Sequence, residues 1–110
     1  MTTAILPWPP KELSPNSRTD RRKTTALRKS YKEDCWAAAK EAKLSPANHL
    51  HITFHPPEGR KRDLDNMLGA IKYGLDGVAL AMGMDDSEWS LTIVKGEPKR
   101  PHGEVRVRAA

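Results

Sequence analysis

The sequence has little that would suit it to secretion or to a membrane. Its only cysteine is Cys35, so neither an intrachain disulfide nor a cysteine-based zinc site can form. The first residues lack a basic segment followed by an apolar one, and no run of about 18 apolar residues occurs anywhere, so we expect neither export nor a membrane span. The expectation that follows is a protein of the reducing cytoplasm.

Aromatic residues are also scarce, at 5% of the chain, which argues against a platform that stacks the bases of single-stranded nucleic acid. Charge is plentiful: 19 Lys and Arg residues exceed 14 Asp and Glu residues, giving a net charge of +5. This excess favours an anionic partner, because phosphate backbones attract Lys and Arg whatever their sequence. A length of 110 residues supports one hydrophobic core, so we treat residues 1–110 as a single domain.

The first half of the chain predicts a strand, a basic loop, a helix and a second strand. Residues 4–8 resemble a short edge strand that two prolines stop. Polar residues 11–25 predict a mobile loop, and apolar residues at offsets of three and four predict a helix over residues 25–44. Alternating apolar and polar residues predict a half-buried strand over residues 49–55. The loop carries a basic cluster formed by Arg18, Arg21, Arg22 and Lys23.

The second half predicts one more helix and two more strands. Apolar residues again spaced by three and four predict a helix over residues 65–78, with its end weakened by Gly74 and Gly77. Period-two patterns predict strands over residues 89–93 and 105–108 on either side of a turn, the later strand with a basic face. The expected fold class is α+β: a single domain with a mixed sheet of about four strands and two helices packed on one face. The opposite face would be free for a partner chain.

The most informative stretch is residues 60–66, where three cations run directly into two carboxylates one residue apart. In extended backbone alternate side chains point the same way, so Asp63 and Asp65 can converge on one hard cation while Leu64 turns into the core. A second interpretation is a capping Asp at a helix start beside a solvated charge run. The three cations are Arg60, Lys61 and Arg62.

A second acidic feature, the pair Asp85 and Asp86, follows the predicted second helix. If that helix reverses the chain direction, the next strand would return an Asp to the end that holds Asp63 and Asp65. Three carboxylates would then surround one cavity and could hold Mg²⁺, or Mn²⁺, through oxygen ligands. Read locally, the same pair is an ordinary polar turn.

Taken together, these motifs resemble the RusA family of Holliday-junction resolvases over most of the chain. The resemblance implies a homodimeric, magnesium-dependent endonuclease that resolves four-way DNA junctions by paired phosphodiester hydrolysis. It implies that Asp63, Asp65 and Asp86 bind the metal, with Asp85 as a further candidate. The motifs that carry the resemblance are residues 6–10, Pro56-Pro57, residues 60–66, residues 75–78 and residues 85–87.

One position departs from the family pattern, which has a catalytic lysine four residues after the second aspartate. This sequence has Gly69 there. On a continuous helix Asp65, Gly69 and Lys72 fall within about 60° of one another, so Lys72 can take over charge stabilisation from the next turn. Lys72 can equally be a solvated helix lysine in a relative that has lost activity.

The remaining charged residues admit several interpretations. The basic cluster and residues 60–62 suit contacts to DNA phosphates. His49, His51 and His55 share a strand face, which can indicate a metal site or simply the polar face of a strand. Two other functions stay open: a nucleic-acid-binding module without catalysis, and a structural subunit whose exposed sheet face dimerises.

Overall fold

The structure of the chain is a computed structural model that describes residues 2–15 and 17–109. Asn16, part of the predicted basic loop, and the two terminal residues of the predicted domain lie outside this range. Over the described residues the chain forms four strands, three α-helices and two 3-10 turns, the turns being Lys11–Leu13 and Asp86–Glu88. The strands are β1 (Thr2–Pro7), β2 (His49–His55), β3 (Ser90–Lys95) and β4 (Glu104–Ala109), and the helices are α1 (Arg21–Glu41), α2 (Leu64–Ala70) and α3 (Lys72–Met82).

The four strands form one mixed sheet in the order β1-β4-β2-β3. Strand β4 is antiparallel to both β1 and β2, whereas β2 and β3 are parallel. A parallel pair needs a crossover, which α2 and α3 supply. The two strands predicted on either side of a turn, β3 and β4, are therefore not neighbours, because β2 lies between them.

The core lies between the helices and one face of the sheet. Leu50, Ile52 and Phe54 of β2 are fully buried and alternate with half-buried polar residues. Burial of every second residue, on one face of the strand, is what the period-two pattern predicted. The α+β class, the mixed four-stranded sheet and the packing of helices on one face are confirmed. The helix residues that join this core include Tyr31, Cys35, Ile71, Leu75 and Val78.

Helix α1 begins four residues before the predicted start. Asp20 occupies the N-cap position, and its carboxylate accepts a hydrogen bond of 2.8 Å from the backbone N–H of Arg22. An Asp cap of this kind satisfies a donor that the first turn leaves unpaired. Three of the four cations assigned to a loop are therefore helical, and the loop prediction is wrong from Arg21 onward. Among the described residues no helix, α1 included, is long and apolar enough to cross a bilayer.

The predicted second helix is interrupted at Ile71, which ends α2 and precedes α3. Helix α3 then runs through Gly74 and Gly77, which were predicted to weaken the end of the helix, and continues to Met82. A Cβ at Gly77 would lie 2.2 Å from the backbone oxygen of Lys32 on α1. Glycine at this position lets the two helices approach backbone to backbone, whereas Gly83, with a φ of 70°, ends the helix.

Candidate functional site

The start of α2 presents two exposed carboxylates. Asp63 is in extended backbone at the N-cap position, yet its side chain makes no capping hydrogen bond, and Asp65 lies in the first helical turn. The interpretation of Asp63 as a helix cap therefore lacks the bond that defines one. Leu64 between them packs against the core as predicted. Both carboxylates thus remain directed away from the core, with oxygens of the kind that Mg²⁺ prefers.

Asp63 lines a cleft of about 830 Å³, which we call the first cleft. Arg60, Lys61 and Arg62 line the same cleft, so the structure brings the three predicted cations and one predicted metal ligand together. Arg62 is fixed by its surroundings: its guanidinium lies 5.5 Å from the ring centre of Trp8 and forms an ion pair with Glu58. Arg60 and Lys61 are exposed, which leaves them accessible to a ligand that enters the cleft.

Lys72 lines an adjoining second cleft of about 420 Å³, together with Arg21, Arg28 and Gly69. The guanidinium of Arg28 lies over the ring of Tyr73 at 4.6 Å from its centre. The two clefts share a wall formed by Glu12, Ser14, Ser17 and Thr19. Cations from α1, α3 and the loop before α2 therefore line one continuous surface.

The family lysine position is closed in this fold. A Cβ at Gly69 would lie 2.6 Å from the Cγ atom of Pro15, closer than side chains pack. A lysine there would require the Pro15 segment to move. Lys72 is exposed and lines the same cleft as Gly69, so the proximity of the two positions that the helical spacing predicted is present despite the interruption at Ile71.

Asp85 and Asp86 belong to a second acidic group. The Asp85 carboxylate accepts a hydrogen bond of 2.9 Å from the backbone N–H of Ser87, and bonding to Ser87 lowers the pKa of Asp85. The pKa of Asp86 is raised, chiefly by a hydrogen bond with the carboxyl group of Asp76 and also by repulsion from Asp76 and Asp85. Sequence reasoning missed Asp76 as a site residue. The sequence signal for a turn between Asp76 and Asp86 was Gly83, whose left-handed backbone ends α3.

The two acidic groups lie at opposite ends of β3. Ser90 begins β3 directly after the Asp85 turn, whereas Lys95 at its other end donates a 3.5 Å hydrogen bond to the backbone oxygen of Arg62, next to Asp63. The six residues of β3 are joined by five steps of about 3.3 Å, which separate these ends by roughly 17 Å. The expectation that the chain returns Asp86 to Asp63 and Asp65 is therefore wrong within one chain. The crossover leaves β2 at its last residue and enters the parallel strand β3 at its first, and these lie at opposite ends of the two strands.

Consequently, the described part of the chain contains no group of three or more His, Cys, Asp or Glu side chains placed to hold a metal ion. Asp63 and Asp65 can still form a partial site, since Mg²⁺ is commonly bound by one or two carboxylates together with waters and substrate phosphates. Asp85 and Asp86, at the other end of β3, do not contribute to this partial site within one chain.

The histidines lie on the open face of the sheet, as predicted. Both ring nitrogens of His49 are 2.8 Å from hydroxyl oxygens, those of Ser90 and Thr92. Loss of solvation, then the charge of Arg108 and the neighbouring His49, lowers the pKa of His51. Because hydroxyl groups occupy both nitrogens of His49, the structure favours the polar-face interpretation over a histidine metal site.

Comparison with known proteins gives one relative and no family assignment. The chain matches no family model. A protein from Xylella fastidiosa (strain Temecula1 / ATCC 700964), described there as an uncharacterized protein, is 41% identical over 93 residues that cover 78% of this chain. The match covers 61% of that relative, so the chain spans about three fifths of its length.

Proposed function

We propose that this protein is a metal-dependent endonuclease that acts on branched DNA and resolves four-way junctions by paired phosphodiester hydrolysis, as its resemblance to the RusA family implies. The observation that carries the proposal is the first cleft. There Asp63, whose side chain makes no capping bond, lines the same cavity as Arg60, Lys61 and Arg62. A carboxylate for a divalent ion beside cations for phosphates is the combination that phosphodiester hydrolysis requires.

DNA binding is assigned to the two clefts and the start of α1. Arg21, Arg22 and Lys23 occupy the first turn of this helix, where the helix dipole is positive. The carboxylate of Asp20 caps the turn and Glu12 forms an ion pair of 3.8 Å with Lys23, so the two arginines are the cations of this turn most open to a DNA phosphate. Exposed Arg18 precedes this turn and extends the same basic surface.

Mg²⁺, or Mn²⁺, would be held at this end by Asp63 and Asp65, and when bound it would supply an activated water and shield the phosphate charge. The chain's own contribution is to grip and orient the DNA. Arg60 and Lys61 would fix the phosphates that flank the cut, and Lys72 from the second cleft would offset negative charge as it grows on the scissile phosphate. Arg62 is held by Trp8 and Glu58 and lines the same cleft as Asp63.

A homodimer fits this activity because a four-way junction is resolved by two symmetric nicks and one small domain can supply only one. We place the protein in the cytoplasm, where its buried thiol, Cys35, would stay reduced.

A second function, DNA binding without catalysis, is favoured by one specific observation: the family lysine position is occupied by Gly69 and closed by Pro15. Cleavage of a synthetic four-way junction, labelled on each strand in turn, separates the two. An enzyme makes paired nicks in magnesium, none in EDTA, and few on a linear duplex of the same sequence. Binding in EDTA with no nicks in either magnesium or manganese would favour the non-catalytic function.

A further inference from the structure

We propose that the first cleft binds one unpaired base of the DNA, which packs against Trp8 and hydrogen-bonds to Asn66, beside the phosphate that is cut. The proposal rests on the nuclease function proposed above and specifies how its site selects branched over linear DNA. It follows from the lining of the first cleft, which offers a different kind of side chain to each part of a nucleotide.

The first part of the lining is apolar and fixed. Trp8 and the two prolines that follow it line the cleft together with Met67 and Ala70 of α2. The centre of the Trp8 ring lies 6.4 Å from that of Phe54 in an edge contact, and the guanidinium of Arg62 lies 5.5 Å from it. Trp8 is nevertheless only half-buried. A base can therefore pack against a ring that is already held in place, at little cost in side-chain entropy.

The second part of the lining can form hydrogen bonds. Asn66 lines the cleft from the first turn of α2, and its side chain makes no hydrogen bond to another described residue. The hydroxyl groups of Ser17 and Thr19, which hydrogen-bond to each other at 2.7 Å, line the same cleft. An asparagine amide offers both a donor and an acceptor, which is the combination that pairs with the edge of a base.

The third part of the lining is charged. Exposed Arg60 and Lys61 line the cleft beside Asp63, so a base that packs against Trp8 belongs to a nucleotide whose phosphates lie near these cations. A volume of about 830 Å³ is within the range of roughly 300–1,000 Å³ that is typical of small-molecule sites. The cleft thus has room for one nucleotide and its adjoining phosphates, whereas an intact duplex offers it no free base.

This arrangement would favour DNA in which base stacking is interrupted. A base can enter the cleft only after it has left the stack, and the cost of leaving is least for a base that is mismatched or already unpaired. Base pairs at a branch point have fewer stacked neighbours than those of a continuous duplex, so their bases are easier to extrude. The scarcity of aromatic residues argues against stacking along a whole single strand, but one base needs only Trp8.

Binding to three duplexes tests whether Trp8 and an unpaired base interact. The first duplex carries one extrahelical nucleotide, the second has an abasic residue in place of that nucleotide, and the third is uninterrupted. Fluorescence anisotropy in EDTA measures the three affinities. The wild type should bind the extrahelical base about tenfold more tightly than the abasic residue, which is the strength of one stacking contact. Trp8→Ala should bind the three duplexes alike, whereas Trp8→Phe, which keeps an aromatic ring, should retain most of the preference.

Two further variants complete the test, with Tm measured for each variant to show that it folds. Trp36→Ala is the matched control, because Trp36 is a tryptophan of α1, 40% exposed, that lines neither of the two clefts, and this variant should keep the tenfold preference. Asn66→Ala should also keep the preference for a base but should narrow the spread of affinities among the four bases. An unchanged spread would overturn the role of Asn66.

The result that would overturn the base site is equal affinity of the wild type for the extrahelical base and the abasic residue, and this needs no variant to fold. A preference that Trp8→Ala retains would overturn it as well. Since binding is measured without metal, the outcome is separate from cleavage. A wild type that shows the preference but nicks no four-way junction in magnesium would support the base site and end the proposed nuclease. A wild type that nicks junctions without the preference would support the nuclease and end the base site.

Discussion

Replacing Gly77 with alanine should destabilise the protein, although helix propensity alone predicts the opposite. Alanine is favoured over glycine inside a helix by about 1 kcal/mol. At this position, however, the added Cβ would lie 2.2 Å from the backbone oxygen of Lys32 and 3.0 Å from the backbone nitrogen of Trp36. Backbone cannot rotate away as a side chain can, so α1 and α3 must separate, and overpacking of this kind costs about 1–3 kcal/mol.

We expect a net loss of about 2 kcal/mol, which for a domain of this size lowers Tm by about 8 °C. Circular dichroism during heating measures it. Gly59→Ala is the matched control: its Cβ would meet nothing within 4 Å, so its Tm should stay near the wild-type value. A higher Tm for Gly77→Ala would mean that the two helices are not in contact at this position. The geometry of the second cleft, which residues of α1 and α3 line, would then be in error as well.

Three further predictions concern charged residues. Arg21→Ala with Arg22→Ala should reduce the slope of log affinity for DNA against log salt by about 0.9 for each phosphate that the variant no longer neutralises, and an unchanged slope would exclude the start of α1 from the interface. Lys72→Ala should slow junction cleavage on the order of a hundredfold with little change in affinity, measured under single-turnover conditions; a wild-type rate would make Lys72 an ordinary solvated lysine. Because the pKa of Asp86 is raised in the folded state, its contribution to stability is present in acid and is lost as the pH rises through that pKa, so Asp76→Asn should raise Tm near neutral pH but not in acid.

The fold was largely predictable because each element has a strong local pattern. The alternation in β2 gave its bounds, and the spacing of three and four residues identified the buried faces of α1, α2 and α3. Boundaries were less predictable. Glycine propensity suggested a weakened helix end at Gly74 and Gly77, but the close approach of α1 makes glycine the residue that packs at position 77.

The sequence indicated individual candidate residues of the site but not which of them the fold brings together. The sequence pattern drew attention to residues 60–66, and four of these, Arg60, Lys61, Arg62 and Asp63, line the first cleft. Whether Asp86 returns to them depends on the direction in which β3 pairs with β2, which no local pattern encodes. The role of Asp76 likewise depends on a turn at Gly83 that brings two segments of the chain together.

We propose that Asp63 and Asp65 serve chemistry at a phosphate and not the folding of α2. It is tested most directly by measuring binding and cleavage of one labelled four-way junction by Asp65→Asn beside the wild type. Asparagine keeps the shape and helix-starting tendency of the side chain but removes a charge that would hold the metal and face the phosphate. We expect Asp65→Asn to keep the wild-type Tm, to bind the junction as tightly or more tightly, and to make no nicks in magnesium. Nicking by Asp65→Asn at the wild-type rate would contradict it.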